Sequence, residues 1–508
     1  MAIVINIQNK SKKTPQFNDI KNWYNQNLAP DAVDFFDQRV YENVYHKGKW
    51  AGIFQCTGRG SQNFFMRGKP RSIVDIATLT SIYRPGPLAA KVDDLYVDAR
   101  NGKQFDWGDQ RVNKILEKTN GLLIFQEQML QLAHEVGGFP LDECDKLRKA
   151  IMKRTIGGGE EAIKKAASMR DGFVTGAMAN GYDKKTAEGI YDKMLYFSGY
   201  AFNKSHAVAY AMDSFFCAYL MTYHEDEWMC SYLKSMSSNP INRAKAFSEI
   251  RGLGYKIQNL DINYSNKEWT ALPGKKLVPS FLSFKGIGET AVDEIISSRP
   301  YTDLESMLWN PDGSWRLSKF NKRALESLIL VEGLESLNCV GENKLFKNYR
   351  HMHNVIIGAW NDIKKSTKRN PYQGRDAMRA IALATLDCDD WVKEEKLKNV
   401  VDVVGSADIT MLIPQKILDK LIEKGVSSID DIEEDQSDVG WYCIKDIQKK
   451  KSKNGKPYTL IDAIGPVGKS HKIFVWYGNV DIKKMSICIS TLERSSFGFS
   501  TNKIVTLA

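Results

Sequence analysis

The sequence predicts a mainly α protein: a large helical body, then a small helical module, then a small C-terminal β-barrel. Three observations carry this reading. Apolar residues recur at three- and four-residue spacing through most of the first half. The segment 439–508 alternates apolar and polar residues in the manner of strands. At 508 residues the chain has room for three or four domains of about 150 residues each.

The helical spacing falls near 73–83, 122–137, 142–153, 160–180, 184–197, 206–223 and 241–253. Between these stretches lie Arg84-Pro85-Gly86-Pro87, Gly137-Gly138-Phe139-Pro140 and Gly157-Gly158-Gly159, which are turn chemistry. A break follows Gly254, a mixed segment runs to about 335, and a polar helical reading covers roughly 340–400. An acidic stretch, Asp430-Asp431 with Glu433-Glu434-Asp435, precedes the final domain. There, Lys472-Ile473-Phe474-Val475-Trp476-Tyr477 and Met485-Ser486-Ile487-Cys488-Ile489 read as strands.

Charge narrows the function classes. Lys and Arg number 71 against 61 Asp and Glu, and segment 439–508 alone holds 12 basic and 4 acidic residues. A local excess of +8 suits a surface that meets phosphates or an anionic membrane. The eight cysteines include no CxxC pair and the seven histidines no HExxH, so zinc has little support and reduced cytoplasmic thiols are expected. The most apolar run, Ala207 to Tyr223, contains Asp213, Ser214 and Thr222, and reads as a buried helix, not a membrane span.

Four elements could carry chemistry. On the helix from Leu141 to Met152, Lys146, Lys149 and Lys153 share one face, with Leu141, Cys144, Leu147 and Ile151 on another. Arg148 leans to the apolar side, where it must snorkel or meet an anion; the plain alternative is a solvated basic face. In Ser198-Gly199-Tyr200-Ala201-Phe202-Asn203-Lys204-Ser205-His206, Asn203 or Ser205 can cap the following helix, whose N–H groups suit an anion beside Lys204 and His206. A well-capped core helix is the alternative there. Lys285-Gly286-Ile287-Gly288-Glu289 has the form of a helix-hairpin-helix turn, whose glycines let backbone approach a phosphate without reading bases. Finally, Lys449, Lys450, Lys451 and Lys453 precede an Asn454-Gly455 turn among Trp441, Tyr442, Tyr458, Phe474, Trp476 and Tyr477. Basic and aromatic residues interleaved on a small barrel suit single-stranded nucleic acid, with several of the rings expected in the core. Asp387-Cys388-Asp389-Asp390 is the tightest carboxylate group, in a stretch read as helical, and is taken as a solvated charge run.

The order of motifs resembles the bacterial DNA polymerase III alpha subunits, the C family of DNA polymerases, from the fingers domain onward. The resemblance rests on Gly52-Ile53-Phe54-Gln55 with Arg59-Gly60, Tyr83-Arg84-Pro85-Gly86-Pro87-Leu88, Phe125-Gln126-Glu127-Gln128-Met129, Leu147-Arg148-Lys149-Ala150, Gly199–Tyr210, the Lys285–Glu289 hairpin and Asn321–Ile329. It covers 35–335 well and 440–508 loosely. It implies an N-terminal segment 1–35, a helical fingers domain 36–254, a helix-hairpin-helix module for duplex DNA 255–340, a connecting region 341–438 and an OB-like barrel 439–508. It implies nucleotide binding by the basic pair Arg148 and Lys149, to which the reading of the residues above adds Lys153, Asn203, Lys204, Ser205 and His206. DNA binding is implied for Arg59, Arg84, Lys285, Gly286, Ile287, Gly288, Lys449, Lys450, Lys451, Lys453 and Trp476. The family usually has two arginines where this chain has Arg148-Lys149. Its palm, with three metal-binding aspartates, has no counterpart here, and no clear clamp-binding peptide is present, so a sliding-clamp tether stays open. The expectation is the fingers and DNA-binding part of a split, virus-encoded polymerase in a bacterial cytoplasm. A partner chain would supply the palm and its Mg²⁺; this chain holds dNTP and primer-template, binds no metal, and is inactive alone. The alternative is a non-catalytic DNA-binding accessory protein from the same ancestor.

Overall fold

The computed structural model describes residues 17–507 except 30, 156–158, 237–239, 366, 405–414, 433–434, 453–454, 466–469, 477–481 and 485. The expected Gly157-Gly158 turn, Glu433-Glu434, Lys453, Asn454, Tyr477 and Met485 therefore lie outside the described residues. The chain divides into two compact units, Met1–Glu225 and Asp226–Ala508. The break falls at 225, so the helix Pro240–Gly252 groups with the second unit.

The first unit is helical throughout. Helix Lys204–Tyr223 packs on helix Ile73–Ile82 because both present small residues. Ala207, Ala211, Ser214 and Ala218 line one side of the first, and Ala77, Thr78 and Ser81 are buried on the second. Small side chains let the two backbones approach and leave room for Phe215 and Met221. Ser214 does not waste its hydroxyl: it donates to the Phe54 carbonyl and pairs with Tyr45 Oη at 2.9 Å. A second core gathers the helices Gln126–Glu135, Leu141–Thr155, Gly159–Ala179 and Lys184–Ser198 around Leu147, Ile151, Phe173, Tyr191 and Met194. Residues 122–125 are not helical as the periodicity suggested. They run extended, and Ile124 and Gln126 exchange backbone hydrogen bonds with Phe202. Leu141, expected on the apolar face, is 74% exposed; the apolar stripe begins at Cys144.

The second unit starts with helices Glu225–Met236 and Pro240–Gly252 and a small sheet of β1 (Lys256–Ile257), β2 (Thr270–Leu272) and β3 (Lys276–Val278), in the order β1-β3-β2. One core then holds the helices Glu289–Ser297, Leu304–Leu308, Lys322–Leu330, Tyr349–Ile356 and Gln373–Ala384. Residues 386–392, expected to be helical, are irregular, with Asp387 and Asp389 exposed and Asp390 paired with Lys396.

The last domain is a closed barrel. After β4 (Ser427–Ser428) come β5 (Ser437–Lys451), β6 (Pro457–Ile464), β7 (Ser470–Val475), β8 (Ile487–Ser495), β9 (Gly498–Thr501) and β10 (Val505–Thr506). Pairing runs β5-β6-β7-β9-β8, and β8 returns to β5, which closes five strands with β7 and β9 parallel. This is the OB arrangement. Alternation puts Ile461, Ala463, Ile473 and Val475 inside with Tyr442, Ile444 and Phe499. A second, outer core joins Trp441, Cys443 and Ile487 to Leu421 of the helix Gln415–Glu423. Among the described residues no helix is long and apolar enough to cross a membrane.

Candidate nucleotide and nucleic-acid interface

In the first unit, Arg148 is indeed half-buried, at 15% side-chain exposure, and it does meet an anion. That anion comes from its own helix. Asp145 accepts from Arg148 Nε at 2.8 Å and Nη2 at 2.6 Å, and from Lys149 Nζ at 2.6 Å. The hydrogen bonds from Lys149 and then Arg148 hold the Asp145 carboxyl below the usual carboxylate range. Lys153 stands exposed. The signal was in the sequence, since a carboxylate three and four residues before two cations is the ordinary helical pairing.

Asn203 is the N-cap of the Lys204–Tyr223 helix, with Oδ1 accepting from His206 N at 2.9 Å and from Ser205 Oγ at 2.7 Å. The N–H groups that were expected to be free are therefore partly used. Lys204 N donates to both carboxylate oxygens of Glu127, at 3.1 and 2.9 Å, and Asn203 Nδ2 donates to the same group at 3.1 Å. Glu127 opens the helix Gln126–Glu135, so this one side chain ties two helix starts together. Sequence reasoning missed it because the partners are 77 positions apart. The His206 ring lies between Phe202 and Tyr210, with centroids at 5.5 and 4.2 Å.

Lys204 and Glu127 line a cleft of about 540 Å³ together with Arg111, Lys114 and Lys118. Arg148, Lys149 and Lys153 do not line that cleft. Of the two arginines singled out for DNA, Arg59 is exposed at the start of the helix Arg59–Gly68. Arg84 is a brace: it donates to the carbonyls of Ser81 and Tyr200, and its guanidinium lies 4.3 Å over the Phe202 ring.

In the second unit, the hairpin has the expected glycine logic. Gly286 has φ +91°, and a Cβ there would come within 2.8 Å of Ser327 Oγ, whose hydroxyl holds the Lys285 carbonyl. Gly288 is the exposed N-cap of Glu289–Ser297, with open space beside its Cα. Lys285 is exposed and Ile287 is buried, 5% accessible, in the module's core. The Ile287 side chain anchors the turn in that core, which leaves only its backbone for a ligand. The element before the turn is a single 3-10 turn, Phe281–Ser283, not a full helix.

On the barrel, the strand register sorts the aromatic residues. Trp441 and Tyr442 are core. Tyr458, Phe474 and Trp476 share the outer face of β6 and β7, with centroids 5.1 to 6.1 Å apart and Phe474 stacked on Trp476 at 12°. Lys450 stands opposite Tyr458 in the ladder. Lys449 pairs with Thr459, so it and Lys451 project from the other face. A broad aromatic surface edged by lysine is what unstacked bases need. Phe497, in the turn between β8 and β9, is 84% exposed.

Among the described residues no three His, Cys, Asp or Glu side chains gather as a metal ion would require. Residues 15–181 match the family described as the bacterial DNA polymerase III alpha subunit finger domain, and 254–344 match a helix-hairpin-helix motif. The DNA polymerase III subunit alpha of Campylobacter jejuni is 27% identical over 496 residues, 94% of this chain and 40% of that protein. The Helicobacter pylori J99 protein of the same name is 29% identical over 89% of this chain and 38% of its own length. The Treponema pallidum one is 34% identical over 52% of this chain and 22% of its own. The chain thus spans at most two fifths of these relatives.

Proposed function

We propose that this chain is the fingers and DNA-binding part of a replicative polymerase, a reading supported by the match of residues 15–181 to the finger domain of bacterial DNA polymerase III alpha subunits and of 254–344 to a helix-hairpin-helix motif. It holds the incoming dNTP and the primer-template, while a palm on a partner chain supplies the carboxylates and Mg²⁺. Those ions provide charge neutralisation and nucleophile activation in phosphoryl transfer. This chain's share is positioning. The hairpin backbone at Gly286 and Gly288 grips duplex phosphates, the Tyr458–Phe474–Trp476 face stacks single-stranded template, and Arg148, Lys149 and the Asn203–His206 turn receive the triphosphate. The work is that of a bacterial cytoplasm, a phage-infected one included.

The observation that best supports this reading is the order in which three parts suited to handling DNA follow one another: a finger domain, a hairpin module and a five-stranded barrel with an aromatic triad on its outer face. One observation favours a second reading, a DNA-binding accessory protein without a nucleotide site: Asp145 already pairs with both Arg148 and Lys149 and offsets one of their two charges. Steady-state incorporation by the chain reconstituted with a palm-bearing partner separates the two. Losing a charge-assisted hydrogen bond costs about 1.5–3 kcal/mol, or roughly 10- to 150-fold. Arg148→Ala should reduce dNTP use by that order and leave DNA affinity near wild type. Unchanged dNTP use, with DNA binding lost, would establish the accessory role instead.

A further inference from the structure

The segment 360–379 contains six basic and two acidic residues, a charge excess that the hairpin and the barrel do not explain. Folding sorts these charges. Asp362 takes Lys365 at 2.6 Å, and Glu305 takes Arg379 at 2.5 Å and reaches Arg375 at 4.0 Å. Lys364 is placed by aromatic rings, its ammonium lying 5.6 Å from the Trp315 centroid and 5.4 Å from that of Trp360. Lys368 and Arg369 stand exposed on a tight turn, in which Asn370 N donates to Thr367 Oγ1 at 3.0 Å.

The turn is built onto the module. Gly374 N donates to the Lys365 carbonyl at 2.8 Å and closes the loop. Tyr372 Oη donates to the Pro311 carbonyl at 2.9 Å. Gly313, at φ +80°, comes so close that a Cβ would lie 2.6 Å from the Pro371 oxygen. Two buried donors in the same neighbourhood, Trp315 Nε1 and Arg375 Nε, have no hydrogen-bond partner. Lys364, Lys368 and Arg369 are exposed cations here, beside the carboxylates of Asp362, Glu305 and Asp376, and exposed cations suit phosphate oxygens.

We propose that Lys364, Lys368, Arg369 and Arg375 form a second contact for the sugar-phosphate backbone of duplex DNA, beside that of the Gly286–Gly288 hairpin. The two are carried by one core: Ile363 and Met378, under the basic turn, pack in the same cluster as Ile287 and Val292 of the hairpin. A core of that kind holds both surfaces at a fixed spacing. The inference builds on the DNA-binding reading of this unit and extends it to residues outside the hairpin.

The test is a salt titration of the full chain on a duplex oligonucleotide, read by fluorescence anisotropy. Each phosphate contact contributes about 0.9 to the slope of log affinity against log salt. The double variant Lys368→Gln/Arg369→Gln should lower that slope by roughly 2 and leave single-strand binding by the barrel unchanged. Lys285→Gln is the parallel hairpin variant. If it lowers the slope and Lys368→Gln/Arg369→Gln does not, the second contact is wrong and the hairpin reading stands. If neither does, the duplex reading of this unit falls as well. An unchanged slope with lost binding to polyglutamate would assign the face to an acidic protein and overturn the proposal. A circular dichroism melt matching wild type ties a lowered slope to lost contacts and not to unfolding.

Discussion

Asp145 sits one helical turn before Arg148 and Lys149 and bonds both, so a triphosphate arriving at these cations must compete with a carboxylate already in place. Exposed ion pairs are worth about 0.2–1 kcal/mol, which sets the size of that competition. Asp145→Asn should therefore tighten triphosphate use roughly 1.5- to 5-fold, in the opposite direction to Arg148→Ala. Asp142→Asn removes the same charge from the exposed first turn without releasing a guanidinium, and should do less. Equal effects of the two would mean that only long-range charge is felt. A different carboxylate governs stability. Glu294 accepts from Ser318 N and Oγ, Lys319 N and Phe320 N at 2.6 to 2.8 Å. Burial works against its charge, but these bonds outweigh burial and leave the carboxyl below its usual 4.5. Because the folded pKa is depressed, the stabilisation is complete above about pH 4.5 and is lost as pH falls through the lower folded value. Glu294→Gln should cost about 1.5–3 kcal/mol at pH 7, and urea unfolding curves of variant and wild type should converge under acid conditions.

Among elements, the barrel shows where sequence reasoning stops. Period-two alternation made the strands of β6 and β7 legible, along with the possibility that Tyr458, Phe474 and Trp476 face outward. Which lysine joins them was not legible. Counting by two from buried Tyr442 turns Lys450 inward, but a bulge between Ile444 and Asp446 shifts the register and turns it outward, opposite Tyr458. Nor could β9 be read from its four residues, because its place is fixed by pairing with β7 and β8, which are distant in sequence. The same limit hid Glu127, whose partners Asn203 and Lys204 are joined to it only by the fold. Local signals did better: the Asn203 cap, the left-handed Gly286 and the apolar stripe of Cys144, Leu147 and Ile151 all follow from neighbours in the chain. The corrected register carries a prediction. Base stacking on an aromatic side chain is worth about 1–3 kcal/mol, so Trp476→Ala should weaken single-strand binding by that amount with duplex binding nearly unchanged. Lys450→Ala should also weaken it, and more than Lys451→Ala, in anisotropy measurements at low salt. Equal effects of the two lysines would mean that single strands track the loop and not the β6–β7 face.

At the scale of the whole molecule, motif order was legible from 35 to 335. The compact units divide at Glu225, whereas the break in the sequence pattern follows Gly254. The two units also separate the expected tasks: the residues proposed to hold the triphosphate fall in the first, and the hairpin, basic turn and barrel in the second. Phosphoryl transfer needs the nucleotide, the primer end and metal-binding carboxylates aligned together, and the proposal assigns only the first two to this chain. Asp387, Asp389 and Asp390, the closest acidic group, lie on an irregular exposed segment, with Asp390 engaged by Lys396 at 2.7 Å. The purified chain should therefore bind primer-template yet add no nucleotide to it, with or without Mg²⁺. Extension should begin when a palm-bearing chain is added, and should fall with Arg148→Ala in the mixture. Incorporation by the isolated, nuclease-free chain that disappeared in Asp387→Asn/Asp389→Asn would place the carboxylates here after all, and the partner palm would have no role to fill.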